Sequence, residues 1–293
     1  MVRTTLINAR TYDGLTLPGV IFEPSRGRTV LVWVPGLGGP FTSHLKRTNM
    51  LAQVLARHGI ALAVFNTRGS YTVAHLKVGV ARRIITAGEA FEHFTDCKYD
   101  IAAMVRTVKA LGYRKVVLAG HSTGANKVAY YCSRPGHGVA AAIMLGPVSD
   151  IPGLRQQYGK KFNTVLARAR TMVQQGRGGE LLPSSLVGSW FWSAARLLSV
   201  ATPGKPEDTF PYYDSNRKFP WVKNWRLPLL VILGSRDQFL DRPARDILNA
   251  FDKQCKPIKQ YRFELISGAD HSFTRHGREL SRVLVSWVRQ HTY

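Results

Sequence analysis

Acidic residues are scarce in this chain. Its 293 residues include 18 Asp and Glu against 41 Lys and Arg, which gives a formal net charge of +23. Only Asp13 and Glu23 precede residue 89, and Glu180 is the single acid between residues 151 and 180. That stretch carries the cations Arg155, Lys160, Lys161, Arg168, Arg170 and Arg177. Because such a field draws anions, it either steers an anionic substrate or forms a basic, solvated surface.

The sequence also lacks the marks of a dedicated nucleic-acid-binding module. It contains no zinc-finger spacing, no aromatic strand of the kind that stacks RNA bases and no basic low-complexity tail. A positive surface alone holds proteins on nucleic acid or anionic lipid only through general charge attraction. We therefore expect no specific nucleic-acid partner.

Cysteine is rare as well, and long apolar runs are missing. Cys97, Cys132 and Cys255 are widely spaced and form no C-x-x-C or metal-ligand pattern, which predicts free thiols in a reducing compartment. The first residues lack the charged and apolar regions of a secretory signal. No apolar run approaches the roughly 20 residues that cross a bilayer. We expect a cytoplasmic protein without a membrane span.

The most informative segment is residues 116–131. An apolar, β-rich run leads into Gly-His-Ser-Thr-Gly at residues 120–124, and helix-like sequence follows at once. This is the strand, turn and helix context of a nucleophile elbow, in which the flanking glycines let strand and helix pack closely around a strained serine. Ser122 is therefore the predicted nucleophile, at a helix N-terminus that favours developing negative charge.

A nucleophilic serine needs a base, and the base needs an orienting acid. A buried-strand run at residues 229–234 is followed by Asp237, and a strand-like run at residues 261–266 is followed by His271. Since the carboxyl ends of parallel strands meet at one edge of a sheet, these side chains should approach the serine there. The order Ser, Asp, His is that of α/β-hydrolases.

Other residues compete for these roles. Asp241, four residues after the candidate acid, and Asp150, which follows the preceding predicted strand, are alternative carboxylates. Among nine histidines, only His271 lies directly after a terminal strand and before a final helix. His121 lies inside the elbow and is predicted to support packing, whereas His276 is predicted to begin the last helix.

A glycine-rich loop follows the first buried strand. Its sequence at residues 35–40 is Pro-Gly-Leu-Gly-Gly-Pro, which predicts an oxyanion hole formed by the backbone N–H groups of Leu37 and Thr123. Gly38 and Gly39 would give the backbone room beside the substrate. Nucleotide binding is disfavoured, because the phosphate-loop motif and the acidic residue at dinucleotide-binding spacing are both missing.

These residues and their order resemble the α/β-hydrolase superfamily across nearly the whole chain. Shorter motifs resemble the group that contains the fungal siderophore esterases, which open fusarinine-type cyclic ester backbones. They are the elbow with its Tyr-Tyr helix, Gly-Pro-Val-Ser-Asp at residues 146–150, the loop at 35–40 and Asn-Thr-Arg-Gly-Ser-Tyr at 66–71. The resemblance implies an ester hydrolase that forms an acyl-enzyme on Ser122, without metal or organic cofactor.

Alternatives remain open at this point. A thioesterase, lactonase or acyltransferase would use the same three residues, and a binding protein of the same fold would keep them without catalysis. Serine at the elbow, rather than aspartate, argues against dehalogenase and epoxide-hydrolase chemistry. The expected partner is a small-molecule ester, possibly an anionic one, and the oligomeric state is left open.

Alternating strands and helices predict an α/β fold with a mostly parallel sheet flanked by helices. Residues 1–150 and 227–293 would form this core, and residues 151–226 a helical cap. Trp190 and Phe191 in the cap either line an acyl pocket or attach the cap to the sheet. The predicted elements are a hairpin of 4–11 and 15–22, strands at 60–65 and 139–145, core helices at 49–57 and 99–111, and cap helices at 158–175 and 186–199.

Overall fold

A computed structural model describes residues 2–79 and 83–292, so Met1 and Tyr293, the outer ends of the predicted core, lie outside the described residues. The strands are β1 (Arg3–Arg10), β2 (Thr16–Glu23), β3 (Thr29–Val34), β4 (Ile60–Phe65), β5 (Ala74–Val78), β6 (Arg83–Ala87), β7 (Lys115–His121), β8 (Ala141–Leu145), β9 (Leu229–Gly234) and β10 (Tyr261–Ile266). Eight of them form one sheet in the order β1-β2-β4-β3-β7-β8-β9-β10.

The central sheet is antiparallel at one end and parallel elsewhere. β1 and β2 form the predicted hairpin, in register from Arg3 opposite Glu23 to Arg10 opposite Thr16, and β2 also pairs antiparallel with β4. Every other neighbouring pair is parallel. The predicted mostly parallel sheet is thus confirmed, and β7, β8, β9 and β10 all end at one edge.

Helices cover both faces of this sheet. They are α1 (Leu45–Arg57), α2 (Cys97–Ala110), α3 (Thr123–Cys132), α4 (Asp150–Tyr158), α5 (Phe162–Gln174), α6 (Ser184–Val187), α7 (Ala194–Ala201), α8 (Ala244–Cys255) and α9 (Gly277–Thr292). In β3, Val30 and Val32 pack with α2, α3 and α8, while Leu31 and Trp33 pack with α1 and α9. Because successive strand side chains point to opposite faces, a strand buried on both faces is apolar throughout.

The helices α4 to α7 form a separate apolar cluster above the strand ends. The predicted helical stretch 158–175 is confirmed but is not one α-helix, because a 3₁₀ turn at Gly159–Lys161, with φ 50° at Gly159, separates α4 from α5. The predicted helix 186–199 is also wrong as one element. Gly188, with φ 66°, ends α6, and Ser193 caps α7 by accepting a hydrogen bond from the Arg196 N–H.

An additional hairpin, β5 with β6, was not predicted from the sequence. It lies outside the main sheet, and its residues are mostly exposed or half-buried. The chain returns from it directly to Glu89 and Ala90, where the Ser193 N–H donates to the Ala90 carbonyl at 2.9 Å. This hairpin therefore delivers a stretch of backbone that contacts α7.

Buried ion pairs join α7 to the core. Lys127 of α3 pairs with Glu92 at 2.8 Å, and Arg196 of α7 pairs with Glu92 at 3.3 Å and with Glu207. These four residues are 1–4% exposed, so each charge depends on its partners. We call them the buried charge network. Within the ranges that the structure describes, no helix is both long and apolar enough to span a membrane.

Candidate active site

Ser122 lies in a sharp turn between β7 and α3. Its backbone has φ 57° and ψ −128°, a left-handed conformation that is strained for a residue other than glycine. The turn is held because the Ser122 N–H donates to the Leu145 carbonyl and the Ala125 N–H donates to the Ser122 carbonyl, both at 2.8 Å. The serine is half-buried and lines a cavity.

Glycines allow the chain to close around this turn. A Cβ on Gly120 would lie 2.3 Å from the Gly124 carbonyl oxygen, and a Cβ on Gly124 would lie 2.2 Å from that of Val34. The predicted close packing of strand and helix is confirmed by these contacts. A Cβ on Gly36 would lie 2.8 Å from the Ser122 Cβ. The close approach of the 35–40 loop to Ser122 therefore also requires glycine.

Asp237 and His271 meet where β9 and β10 end. The His271 Nδ1 lies 2.7 Å from Asp237 Oδ2, and Asp237 Oδ1 accepts the Phe239 N–H at 2.9 Å. Both side chains are buried. An Nδ1–H that donates to the carboxylate leaves Nε2 as an acceptor, and the buried Nε2 has no hydrogen-bond partner among the described residues. His271 lines the same cavity as Ser122.

A third glycine makes room for the imidazole. Gly146 follows β8 with φ 56°, and a Cβ there would lie 2.9 Å from His271 Cε1 and 3.0 Å from Nδ1. The sequence motif at residues 146–150 did not predict that Gly146 makes room for His271. The available signal was a glycine directly after a buried strand that neighbours the strand before the acid.

His121 supports the loop that carries His271, in line with its predicted packing role. Its Nε2 donates to the His271 carbonyl at 2.8 Å, and the two rings lie 4.9 Å apart. Burial, with the neighbouring His271 and Arg47 charges, lowers the pKa of His121 well below its usual value. His276 directly precedes α9, as predicted.

The competing carboxylates do not contact the imidazole. Asp241 lines the cavity but pairs with Arg242 at 2.8 Å. Asp150 is the first residue of α4 and also lines the cavity, without a hydrogen-bond partner in the described part of the chain. Burial, followed by the nearby Glu207 charge, raises the pKa of Asp150 to about 7.

The two backbone groups expected at the oxyanion hole lie at the cavity wall. Leu37 and Thr123 both line the cavity. Thr123 opens α3, so its N–H has no acceptor within the helix. Gly38 also lines the cavity, with φ 65°, and a Cβ there would lie 2.2 Å from Glu89 Oε2. The room that Gly38 provides is therefore occupied by the Glu89 carboxylate.

The cavity has a volume of about 880 Å³ and lies between the strand ends and α4. Trp190 lines it and stacks on the buried Trp192 at 5.7 Å. Phe191 is 52% exposed and is not among the lining residues. The structure therefore does not place it in the predicted acyl pocket. Arg47 and Glu89 do line the cavity, although the sequence did not single them out.

The sheet order, the strained serine between β7 and α3, and the acid and histidine after β9 and β10 together define an α/β-hydrolase fold. Residues 28–291 match the model of a family described as "Protein of unknown function (DUF1749)". The chain belongs to this family.

Comparison with known proteins agrees with this fold. UPF0613 protein PB24D3.06c of Schizosaccharomyces pombe is 29% identical over 198 residues, 60% of this chain and 61% of that protein. Bifunctional esterase/perhydrolase DCH of Acinetobacter calcoaceticus is 37% identical over 89 residues, 30% of each. The matches thus span less than two thirds of either curated relative.

A similar structure has also been solved. The siderophore hydrolase EstB from Aspergillus fumigatus matches with a TM-score of 0.68 and 21% identity, over 93% of this chain and 94% of that one. The predicted α/β-hydrolase fold is confirmed, and so is the predicted resemblance to a group that includes a fungal siderophore hydrolase.

Proposed function

We propose that the protein is a serine hydrolase of small-molecule carboxylic esters. Ser122 is the nucleophile, His271 the general base and Asp237 the acid that orients it. The observation that carries this proposal is the 2.7 Å contact of Asp237 with Nδ1 of His271, whose Nε2 is unpartnered at the cavity that Ser122 also lines. An esterase/perhydrolase and a siderophore hydrolase among the similar proteins support the same reaction class.

In the first half of the reaction, His271 Nε2 accepts the hydroxyl proton of Ser122 as its oxygen attacks the ester carbonyl. The N–H groups of Leu37 and Thr123 stabilise the oxyanion, and the N-terminus of α3 adds its positive end. The buried Asp237 stabilises the imidazolium that forms. The protonated His271 then gives the proton to the leaving alcohol, and the acyl group remains on Ser122.

In the second half, a water molecule replaces the alcohol in the cavity. His271 Nε2 accepts its proton while the water oxygen attacks the acyl-enzyme, and the oxyanion forms at the same backbone groups. Collapse returns the proton to Ser122 and releases the acid. These reaction steps need no redox cofactor or metal. The three cysteines, all free and buried, support our inference of a reducing, cytoplasmic location.

Labelling with a fluorophosphonate probe tests the nucleophile. We expect stoichiometric labelling of the wild type and none of Ser122→Ala, with a loss on the order of 10⁶ in kcat for p-nitrophenyl esters. Ser43→Ala removes another cavity-lining serine and should label fully. Labelling of Ser122→Ala, or retention of more than about 1% of its activity, would reject Ser122.

A substrate screen distinguishes an ester hydrolase from other enzymes that use the same mechanism. The same three residues serve thioesterases, lactonases and acyltransferases, so the screen compares p-nitrophenyl esters of increasing chain length with thioesters and cyclic esters at matched acyl groups. We expect the highest kcat/KM on oxygen esters. A protein that labels at Ser122 but hydrolyses no oxygen ester would contradict the proposal.

A further inference from the structure

The wall of the cavity differs in charge from the surface of the molecule. The cations of residues 151–180 suggested an anionic substrate. None of them is among the residues that line the cavity within the described ranges. The lining carboxylates are Glu89, Asp150 and Asp241, and the lining guanidinium is Arg47. A protein with a net charge of +23 thus presents more acids than arginines and lysines to its own cavity.

Two of these carboxylates have no cationic partner. Asp241 pairs with Arg242, whereas the described part of the chain places no cation within ion-pair distance of Glu89 or Asp150. The buried acids elsewhere, Glu92, Asp100, Glu207, Asp208 and Asp237, each contact a cation or histidine. Glu89 and Asp150 are half-buried, and even partial desolvation of a carboxylate without a cation is unfavourable, so their retention at a cavity indicates a ligand-binding role.

The nearest buried cation is engaged elsewhere. Arg196 directs its guanidinium to Glu207 and Glu92, and its Nε donates to the backbone carbonyl of Glu89 at 3.0 Å. Among residues 2–79 and 83–292, the Glu89 side chain accepts only the Thr72 hydroxyl, at 3.2 Å, and it lies against Gly38. The geometry therefore holds the backbone of Glu89 firmly while its carboxylate stays available at the cavity.

Aromatic faces accompany these carboxylates. Tyr71 and Trp190 line the same cavity and are 48% and 42% exposed, so their rings are accessible to a ligand. Arg47 belongs to another part of the wall, where it stacks over Trp33 at 5.2 Å and donates to the Ser272 carbonyl at 2.6 Å beside His271. Carboxylates together with aromatic faces are the groups that bind organic ammonium ions.

We propose that Glu89 and Asp150, with Tyr71 and Trp190, form an ammonium subsite, so that the preferred substrate is an ester carrying a cationic amine. This inference rests on the proposed function, because the subsite shares the cavity with Ser122 and His271. It opposes the expectation of an anionic ester, which was based on surface charge alone.

Matched esters test the subsite on both sides of the scissile bond. Butyrylcholine is compared with 3,3-dimethylbutyl butyrate, and the p-nitrophenyl ester of 6-(trimethylammonio)hexanoate with those of 7,7-dimethyloctanoate and adipate. We expect kcat/KM for one cationic ester to exceed that of its neutral isostere by about tenfold, the worth of one cation–π or charge contact. Equal values in both pairs, or preference for the adipate, would overturn the proposal.

Variants assign the preference to the subsite. In Glu89→Gln and Asp150→Asn the cationic-to-neutral ratio should fall about fivefold or more, and the ratio cancels any change shared by both esters. Asp252→Asn removes an exposed acid that lies outside the cavity and should keep the wild-type ratio. A ratio unchanged in both subsite variants would contradict the assignment.

A binding measurement separates this proposal from the proposed function. Hexyltrimethylammonium is titrated into Ser122→Ala while tryptophan fluorescence reports on the cavity, which Trp33, Trp190 and Trp192 line. We expect saturable binding that weakens about fivefold when Glu89→Gln is added. Saturable binding to Ser122→Ala, together with no ester hydrolysis by the wild type, would reject the esterase and keep the subsite. Equal affinity in Ser122→Ala with and without Glu89→Gln would reject the subsite alone.

Discussion

At the scale of single residues, Asp237 is distinguished from its rivals by its contact with His271. Asp237→Asn should lower kcat on a neutral p-nitrophenyl ester by about 10⁴, because the imidazole loses the carboxylate that fixes its tautomer. Asp241→Asn removes a cavity carboxylate paired with Arg242 and should cost less than about tenfold. A deeper loss in Asp150→Asn would show that the acid follows β8 rather than β9, and a deeper loss in Asp241→Asn would show that it is a later residue after β9.

Gly146 gives a second test at this scale. Gly146→Ala puts a methyl group about 3 Å from the imidazole and forces alanine into a positive φ, so the ring must shift. We expect kcat to fall about a hundredfold, since displacement of about 1 Å costs this much, while KM changes little. Gly153→Ala, which meets nothing within 4 Å, is the control. Wild-type kcat in Gly146→Ala would show that the ring tolerates displacement.

Asp150 links the site to stability. Its pKa in the folded protein is raised to about 7, so the folded state holds the proton more tightly than the unfolded chain. Stability contributed by this group therefore falls as pH rises from about 4 to 7 and stays low above it. Asp150→Asn should unfold at higher urea than the wild type at pH 8, with the difference vanishing near pH 4. A constant difference at both pH values would show that the carboxylate is not responsible.

The residues that we propose as catalytic were predictable because each lies in the turn or loop that follows a strand. Ser122, Asp237 and His271 come after β7, β9 and β10, whose apolar runs mark them clearly. The roles of Gly146 and Glu89 were not predictable, because they depend on which parts of distant segments touch. Nothing in the local sequence indicates that the carboxylate of Glu89, which follows the β5–β6 hairpin, lies against Gly38.

At the scale of elements, the buried charge network fixes α7 to the core. Arg196→Met would leave Glu207 without its cation and Glu92 with Lys127 alone, so we expect a loss of about 3–5 kcal/mol in the free energy of unfolding. Arg177→Met breaks an exposed, solvent-screened pair with Glu180 and should change the free energy of unfolding far less. Urea unfolding measures both, and similar small losses would mean that the network relaxes or hydrates.

Core elements were easier to predict than cap elements for a physical reason. The predicted strand at 60–65 matches β4, and the predicted helices at 49–57 and 99–111 overlap α1 and α2, because burial imposes regular apolar spacing. In the cap, a positive φ angle at Gly188 ends α6, and at Gly159 the chain passes from α4 into a 3₁₀ turn before α5. The hairpin of β5 and β6 is short and mostly exposed or half-buried, and the alternation of apolar and polar residues in β5 is a strand signal that the prediction did not use.

At the scale of the whole molecule, the charges of the surface and of the cavity wall have opposite signs. Their effects on kcat/KM should therefore be distinguishable by the response to added salt. Added salt screens the attraction of the +23 surface for anions and its repulsion of cations. We expect kcat/KM to fall for the adipate ester, rise for the trimethylammonio ester and stay constant for the neutral one. Lys160→Gln with Lys161→Gln should flatten both slopes, whereas parallel slopes for all three would show that the field does not steer substrate.

The buried charge network also has a consequence for how this protein diverges from its relatives. Two of its members, Glu92 and Lys127, belong to the core, while Arg196 and Glu207 belong to the segment above it. A chimera that takes residues 151–226 from another hydrolase keeps the Glu92–Lys127 pair of the core and loses Arg196 and Glu207 together. Exchange of this segment should therefore be tolerated when the donor places an arginine with a glutamate, or no charge, at the equivalent sites, and should fail when it places one of these charges there alone.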